Sequence, residues 1–289
     1  MELQLLFTGL GVGSIYALVA FGFVLIFRAT NVVNFAQGDF TMLGGFAMVV
    51  CAVDLDLPYW LSILIALAAV MVFGALFNLL VYYPLRHRGL LPVIISTIGA
   101  SILMQNGTLA AYGPQPQSLP GALSTPGILL GPVFLDSQYL LILAVTALLV
   151  ILQHFFFEYT LLGKKMQATS QDKEMASLLG IPVAGMIMLT FVYSAFLGGL
   201  AGILVGPILF VSVGMGSAIA LKAFAATIVG GFGNVIGAII GGLTLGVVET
   251  FGAAYISVPY KDAFAFLVLL VFLMLRPEGL FGEKIAEKA

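Results

Sequence analysis

The sequence predicts an all-α polytopic membrane protein with about 8–9 transmembrane helices, several of them short or broken and rich in glycine. Three observations carry that prediction. Hydrophobic residues make up 61% of the chain and charged residues only 8%, and the mean hydropathy of +1.15 is far above that of a soluble domain. Apolar runs repeatedly approach or exceed the roughly 20 residues needed to cross hydrocarbon. Most charges sit in short segments between those runs. The 13 acidic and 11 basic residues nearly cancel, so there is no nucleic-acid footprint. Cys51 is the single cysteine, which excludes an intrachain disulfide and a cysteine-built metal site. His87 and His154 are too distant in sequence and too differently placed to suggest metal ligation, and no cofactor is expected on the chain.

The N-terminal MELQLLF lacks a basic region and a small-residue cleavage site, so Leu5 to Phe27 reads as a first span rather than a signal peptide. Gly9 and Gly13 in it have the spacing that lets helix backbones approach. After Arg28 comes TNVVNFAQGDF, with Asn31, Asn34, Gln37 and Asp39, too polar to cross lipid freely. A broken element facing a cavity would satisfy it, and so would an ordinary turn. A short span from Phe40 to Val53 follows. Tyr59 to Tyr83 is a long span bounded by interfacial aromatics. Leu91 to Ala111 carries Ser96, Thr97, Gln105, Asn106 and Thr108, a polar load that favours facing a bundle over facing lipid.

Residues 112–138 form a proline-rich connection, in which GILLGPVFL suggests a small hairpin turning at Gly131-Pro132. A span from Tyr139 to Phe157 leads into a stretch at about 159–185 that concentrates Lys164, Lys165, Asp172, Lys173 and Glu174. It reads as a short amphipathic unit. Met166, Met175, Leu178 and Leu179 would turn toward lipid or protein, and Gln167, Gln171, Asp172 and Glu174 toward water. Gly180 and Pro182 stop it. On physics alone it is either a solvated loop or a docking helix.

The last third is glycine-rich. Met186 to Phe210 is one span; Ala218 to Val229 and Val235 to Tyr255 are two arms joined by GGFGN; Ala263 to Leu275 is the last. Gly198, Gly202, Gly206, Gly237, Gly241, Gly242 and Gly246 stand four apart in pairs, so these helices should pack tightly on each other or on a second subunit. Lys222 and Glu249 fall inside the arms and are functional candidates by their location; whether they pair is open. Alternating the spans puts nine of the eleven Lys and Arg on one side, leaving Lys222 and Lys261. The positive-inside rule makes that side cytoplasmic, with the N-terminus outside and the C-terminus inside.

The segments GLGVGSIYALVAFGFVLIFRATNVVNFAQGDFTMLGGF, GKKMQATSQDKEMASLLGIP, KAFAATIVGGFGNVIGAIIGGLTLGVVE and LRPEGLFG together resemble the permease family of branched-chain amino acid ABC importers, most of all its shorter, LivH-type subunit. The resemblance covers nearly the whole chain, which then forms a single transmembrane permease domain, 1–289, in the inner membrane. It implies a second, similar permease as heterodimer partner, two cytoplasmic ATPase subunits that bind ATP and Mg, and a periplasmic substrate-binding protein. The 159–185 stretch would be the coupling segment. In it Lys164, Lys165, Asp172 and Glu174 would meet the ATPase, and Ala176, Leu179 and Gly180 would allow close approach. Asn34, Gln37, Asp39, Gln105, Asn106 and Glu249 would line or support the substrate path. The family commonly has His where Gln37 stands, which weakens a proton-linked role there. No G-x-x-x-x-G-K-[ST] phosphate loop is present, so hydrolysis belongs to another chain. The expected function is ATP-driven import of branched-chain or other hydrophobic amino acids by alternating access. Importers of urea, amides or aromatic carboxylates share the resemblance. An ATPase-independent secondary transporter or channel is the rival that Asp39, Lys222 and Glu249 keep open. An integral membrane enzyme is the other, against which stands the lack of clustered His, Asp and Glu or of a nucleophile–base pair.

Overall fold

Glycine spacing and hydrophobic length organise the bundle. The structure, a computed structural model, describes residues 2–123, 127–130, 133–276 and 278–281. Among the described residues nine helices follow the predicted order: α1 (Glu2–Thr30), α2 (Gln37–Val49), α3 (Tyr59–Phe77), α4 (Leu90–Tyr112), α5 (Ser137–Tyr159), and then α8 (Val183–Leu209), α9 (Met215–Gly230), α10 (Val235–Tyr255) and α11 (Lys261–Leu275). Between α5 and α8 lie two short helices, α6 (Leu161–Gln171) and α7 (Lys173–Leu178). Counting the continuation of α3 to Leu85, six helices among the described residues are long and apolar enough to cross a membrane; α2, α9 and α11 are shorter. The count of eight to nine spans therefore resolves into six full-length helices and three short ones.

α1 is the central post. It is buried along most of its length and packs against α5, α8, α9 and α10. Its seam with α10 consists of glycines: a Cβ added at Gly9 would lie 2.9 Å from Val247 Cα, and one at Gly13 would lie 2.8 Å from the Gly242 carbonyl oxygen. Gly246 faces the Gly13 backbone as closely. A second seam joins α2 to α8, where Gly202 meets the Thr41 carbonyl and Gly198 lies 3.0 Å, measured from an added Cβ, from Phe40. In the third, Gly237 and Gly241 of α10 meet Gly230 and Ala226 of α9. Gly206 abuts Leu119 of the proline-rich connection. The small-residue spacing is used within this chain, holding backbones near contact where dispersion replaces a hydrophobic driving force.

The two ends of the bundle differ. At one end Phe27 stacks edge-on against Phe232, and the Leu280 amide donates to the Val229 carbonyl at 2.9 Å, bringing α1, the α9–α10 turn and residues 278–281 together. Arg28 and α6 share a cavity there. At the other end Tyr255 donates to Glu2, and Gln117 exchanges backbone hydrogen bonds with Val211 at 2.8 and 2.9 Å. The expected hairpin forms, with strands β1 (Gly127–Leu130) and β2 (Val133–Asp136) antiparallel in the register Leu130 to Val133. Its turn at Gly131-Pro132 lies outside the described residues, as do Pro277 of the LRPEGLFG motif and the tail carrying Lys284 and Lys288. Asp136 then caps α5, accepting from the Gln138 amide at 2.7 Å.

The charged stretch differs from the single amphipathic unit expected. It breaks at Asp172, whose carboxylate leaves α6 and caps α7 by accepting from the Glu174 and Met175 amides, both at 2.9 Å. Asp is a strong N-cap because its oxygen satisfies amides that have no intrahelical partner. Thr160 caps α6 in the same way, and Gly180, at φ +76°, closes α7 in the left-handed region.

Candidate functional site

Polar residues are placed inside the bundle by a break in the chain. Beyond Thr30 the chain reverses at Asn31, in the left-handed region at φ +59°, and runs non-helically to α2. Gln37, at the start of α2, sits beside Gly22, eight residues back from the end of α1, and beside Ser194 in the middle of α8. α2 therefore begins deep inside the helix bundle, the broken arrangement and not the ordinary turn. Backbone of this kind is tolerated at depth where protein buries it or it lines a cavity. The Asn34 side-chain Oδ1 accepts from the Ala36 amide at 3.1 Å, and the Phe35 amide donates to Thr97 of α4 at 3.3 Å. Gln37 is fully engaged: its Nε2 donates to the Ser194 carbonyl at 3.3 Å, and its Oε1 accepts from the Ser194 hydroxyl at 2.7 Å. That pairing ties α2 to α8.

Asp39 is different. It is 2% exposed, and its Oδ1 accepts from Gln105 Nε2 at 3.0 Å, while its Oδ2 is buried without a partner. The Gln105 amide also lies 3.0 Å from Ser101 Oγ and 3.1 Å from Ser217 Oγ, so α2, α4 and the first turn of α9 converge on it. Beside them lies a pocket of about 190 Å³, lined by Asp39, Ser101 and Ser217 together with Phe23, Phe35, Leu221 and Phe224. Close approach is possible because Gly38 and Gly216 face each other where the two helices begin. Asn106, one residue on from Gln105, turns away and donates to its own helix at the Ile102 carbonyl.

Glu249 joins another cluster. Its side chain is fully buried; Oε1 lies 2.7 Å from Lys222 Nζ and 3.3 Å from Lys261 Nζ, and Oε2 accepts from Tyr16 at 2.8 Å. Lys222 also pairs with Asp262 at 2.6 Å. The open question of a Lys222–Glu249 pair is thus settled, and the pair unites α1, α9, α10 and α11. Ser101 and Ser217 were not singled out from the sequence, although Ser101 stands one helical turn before Gln105. Tyr16, Lys261 and Asp262 gave no comparable signal, because their partners are brought in from distant helices.

In the charged stretch Lys164 and Glu158 form an exposed pair at 2.9 Å, of the kind that contributes little to stability. Partial burial holds the Lys173 amine below the ordinary lysine range. Asp172 and Glu174 are exposed. Of the four apolar residues expected to turn inward or toward lipid, only Met166 is buried; Met175, Leu178 and Leu179 are 55%, 82% and 73% exposed. Ala176 faces the chain's own interior and is absent from that outer surface, whereas Gly180 has open space around it. A larger cavity, about 400 Å³, opens beneath α6 between α1, α5 and α10; it is lined mostly by apolar groups and by neither carboxylate.

Residues 5–273 match the family model described as the permease component of branched-chain amino acid transport systems. The chain belongs to this permease family. It is 32% identical to the high-affinity branched-chain amino acid transport permease LivH of Salmonella typhimurium, over 99% of this chain and 97% of that protein. It is 35% identical to the corresponding BraD of Pseudomonas aeruginosa, with the same coverage. A probable LivH of Methanocaldococcus jannaschii is 25% identical over 93% of this chain and 89% of its own length. The fold is similar to PsaBC from Streptococcus pneumoniae, solved in complex with Fab, with a TM-score of 0.52, 13% identity, and coverage of 94% of this chain and 91% of that one. The protein is an all-α, multi-pass permease component of an ABC importer family, as the sequence motifs implied.

Proposed function

We propose that this chain forms one half of the translocation path for branched-chain or other hydrophobic amino acids in an ATP-driven importer. The near full-length family match is the observation that carries the reading. Its partners are a second, homologous permease, two ATPase subunits carrying ATP and Mg, and an extracytoplasmic binding protein. The complex sits in the bacterial cytoplasmic membrane, with the end bearing Arg28 and α6–α7 toward the cytoplasm, the N-terminus outside and the C-terminus inside.

Two features support this division of labour. α7 offers exposed Met175, Leu178 and Leu179 beside charged Asp172 and Glu174. Apolar anchors rimmed by charge suit a protein partner better than bare solvent. The pocket between α2, α4 and α9 supplies a polar interruption inside the bundle, and Asn34, Gln37, Asp39 and Gln105 line or support the path around it. Glu249 supports that path from a distance by fixing helices. Closure of the ATPases would move α6–α7, and the glycine seams would carry that movement as rigid-body rocking.

The test is co-purification of tagged protein from its native membrane, followed by mass spectrometry. An ATPase and a second permease are expected, and Lys165→Glu with Glu174→Lys should release the ATPase. A chain that purifies alone and moves solute in liposomes without ATP would overturn the reading.

A further inference from the structure

We propose that Asp39 is the counter-ion for the α-ammonium group of an amino-acid substrate held in the pocket between α2, α4 and α9. This rests on the permease function above and deepens it. Oδ2 of Asp39 is buried with no donor, although the residue lines the pocket. Ionised, the group is a charge inside the bundle with no cation beside it. Among the described residues Lys222 and Lys261 are committed to Glu249 and Asp262, and Lys164 to Glu158. Protonated, it would hold a hydroxyl without an acceptor. Both forms leave a valence unmet, and such groups inside membrane proteins mark ligand or ion pathways.

The surroundings specify the missing partner. Gln105 already takes Oδ1, which fixes the carboxylate and leaves the other oxygen for a donor. The Gln105 amide has two hydrogens for the three oxygens around it, and Ser101 also bonds Asp39, so the Ser217 hydroxyl retains hydrogen-bonding capacity. Phe23, Phe35, Leu221 and Phe224 form an apolar wall opposite. α9 begins at Met215, so its positive end opens beside Ser217, where a substrate carboxylate is favoured. A cationic donor on Asp39, an anion at the α9 terminus and an aliphatic group on the aromatic wall together describe a hydrophobic amino acid. Urea, amides and aromatic carboxylates lack the ammonium.

The experiment uses the intact complex in which this chain is purified with its partners. Cys51→Ala removes the native thiol, Ser217→Cys places a thiol at the pocket, and its maleimide labelling is timed with leucine, leucinamide or 4-methylpentanoate present. Leucine and leucinamide should slow labelling, 4-methylpentanoate should not, and Asp39→Asn should weaken leucine protection about tenfold. Asp39→Glu, which keeps the charge, should retain part of the protection; thermal melting of each variant certifies its fold. Equal protection in folded Asp39→Asn, or no protection by leucine in the parent, overturns the proposal. Leucine uptake driven by ATP in proteoliposomes is measured on the same preparation. Uptake without protection defeats the Asp39 site alone, whereas uptake of urea or a carboxylate in place of amino acids defeats the function as well.

Discussion

Two buried carboxylates in this bundle have opposite surroundings. Glu249 is enclosed by two lysines and a tyrosine hydroxyl, and both its oxygens are engaged. Asp39 has only the neutral Gln105 amide and Ser101 hydroxyl beside it, and its Oδ2 has no hydrogen-bond partner. Removing a charge from water is costly, and the cost is offset only by close counter-charges and hydrogen bonds. Glu249 has them from within the chain, so its role is to lock α1, α9, α10 and α11 together. Asp39 lacks them, which is the condition of a group that waits for a partner from outside. An intramembrane charge is thus a functional candidate only until its neighbours are known.

The largest effect should come from breaking the closed cluster. Lys222→Met leaves Glu249 and Asp262 short of a cation and should destabilise the folded protein by roughly 3–5 kcal/mol. A lower melting temperature in detergent and a smaller yield would show it. Pairing it with Glu249→Leu should recover much of the loss, and an unaltered melt for Lys222→Met would remove the structural role assigned to this network. Next, Tyr16→Phe deletes one hydrogen bond to a charged group and should cost about 1.5–3 kcal/mol in the same assay.

Gly202→Val acts on the other carboxylate's scaffold. Its side chain would push against the Thr41 carbonyl and separate α2 from α8. About 1–3 kcal/mol of destabilisation is expected, with transport falling further than the melt because Asp39 moves with α2. Wild-type uptake in this variant would uncouple the seam from the path. The smallest stability change belongs to Asp39→Asn: an asparagine oxygen still accepts from Gln105, and Oδ2 made no bond to lose. Less than about 1 kcal/mol is expected. A large drop in melting temperature would place Asp39 with Glu249 among the structural groups.

Much of this was legible in the sequence because it depends on local chemistry. Apolar length marked the spans, Gly at four-residue spacing marked the seams, and the polar NFAQGDF marked the break ahead of α2. The choice between a broken element and an ordinary turn was not legible, since it depends on whether Ser194 and Gly22 lie within reach of Gln37. Likewise Asn106 and Gln105 are adjacent and chemically alike, yet a rotation of about 100° along a helix sends them to different faces. Leu178 and Leu179 read as turning toward lipid or protein, and the sequence left that choice open; in the fold they stand exposed on α7, outside the chain's own core.

By itself the sequence determined the membrane-spanning class, the order of the helices and the permease family, because hydrophobic length and motif order are properties of the chain. Only the tertiary structure decided which charges are neutralised. Lys222 and Glu249 are 27 residues apart, Tyr16 and Glu249 are 233 apart, and Gln105 reaches Asp39 across 66. Electrostatic pairing is set by distance in space, and in this bundle that distance is fixed by glycine contacts between helices remote in sequence.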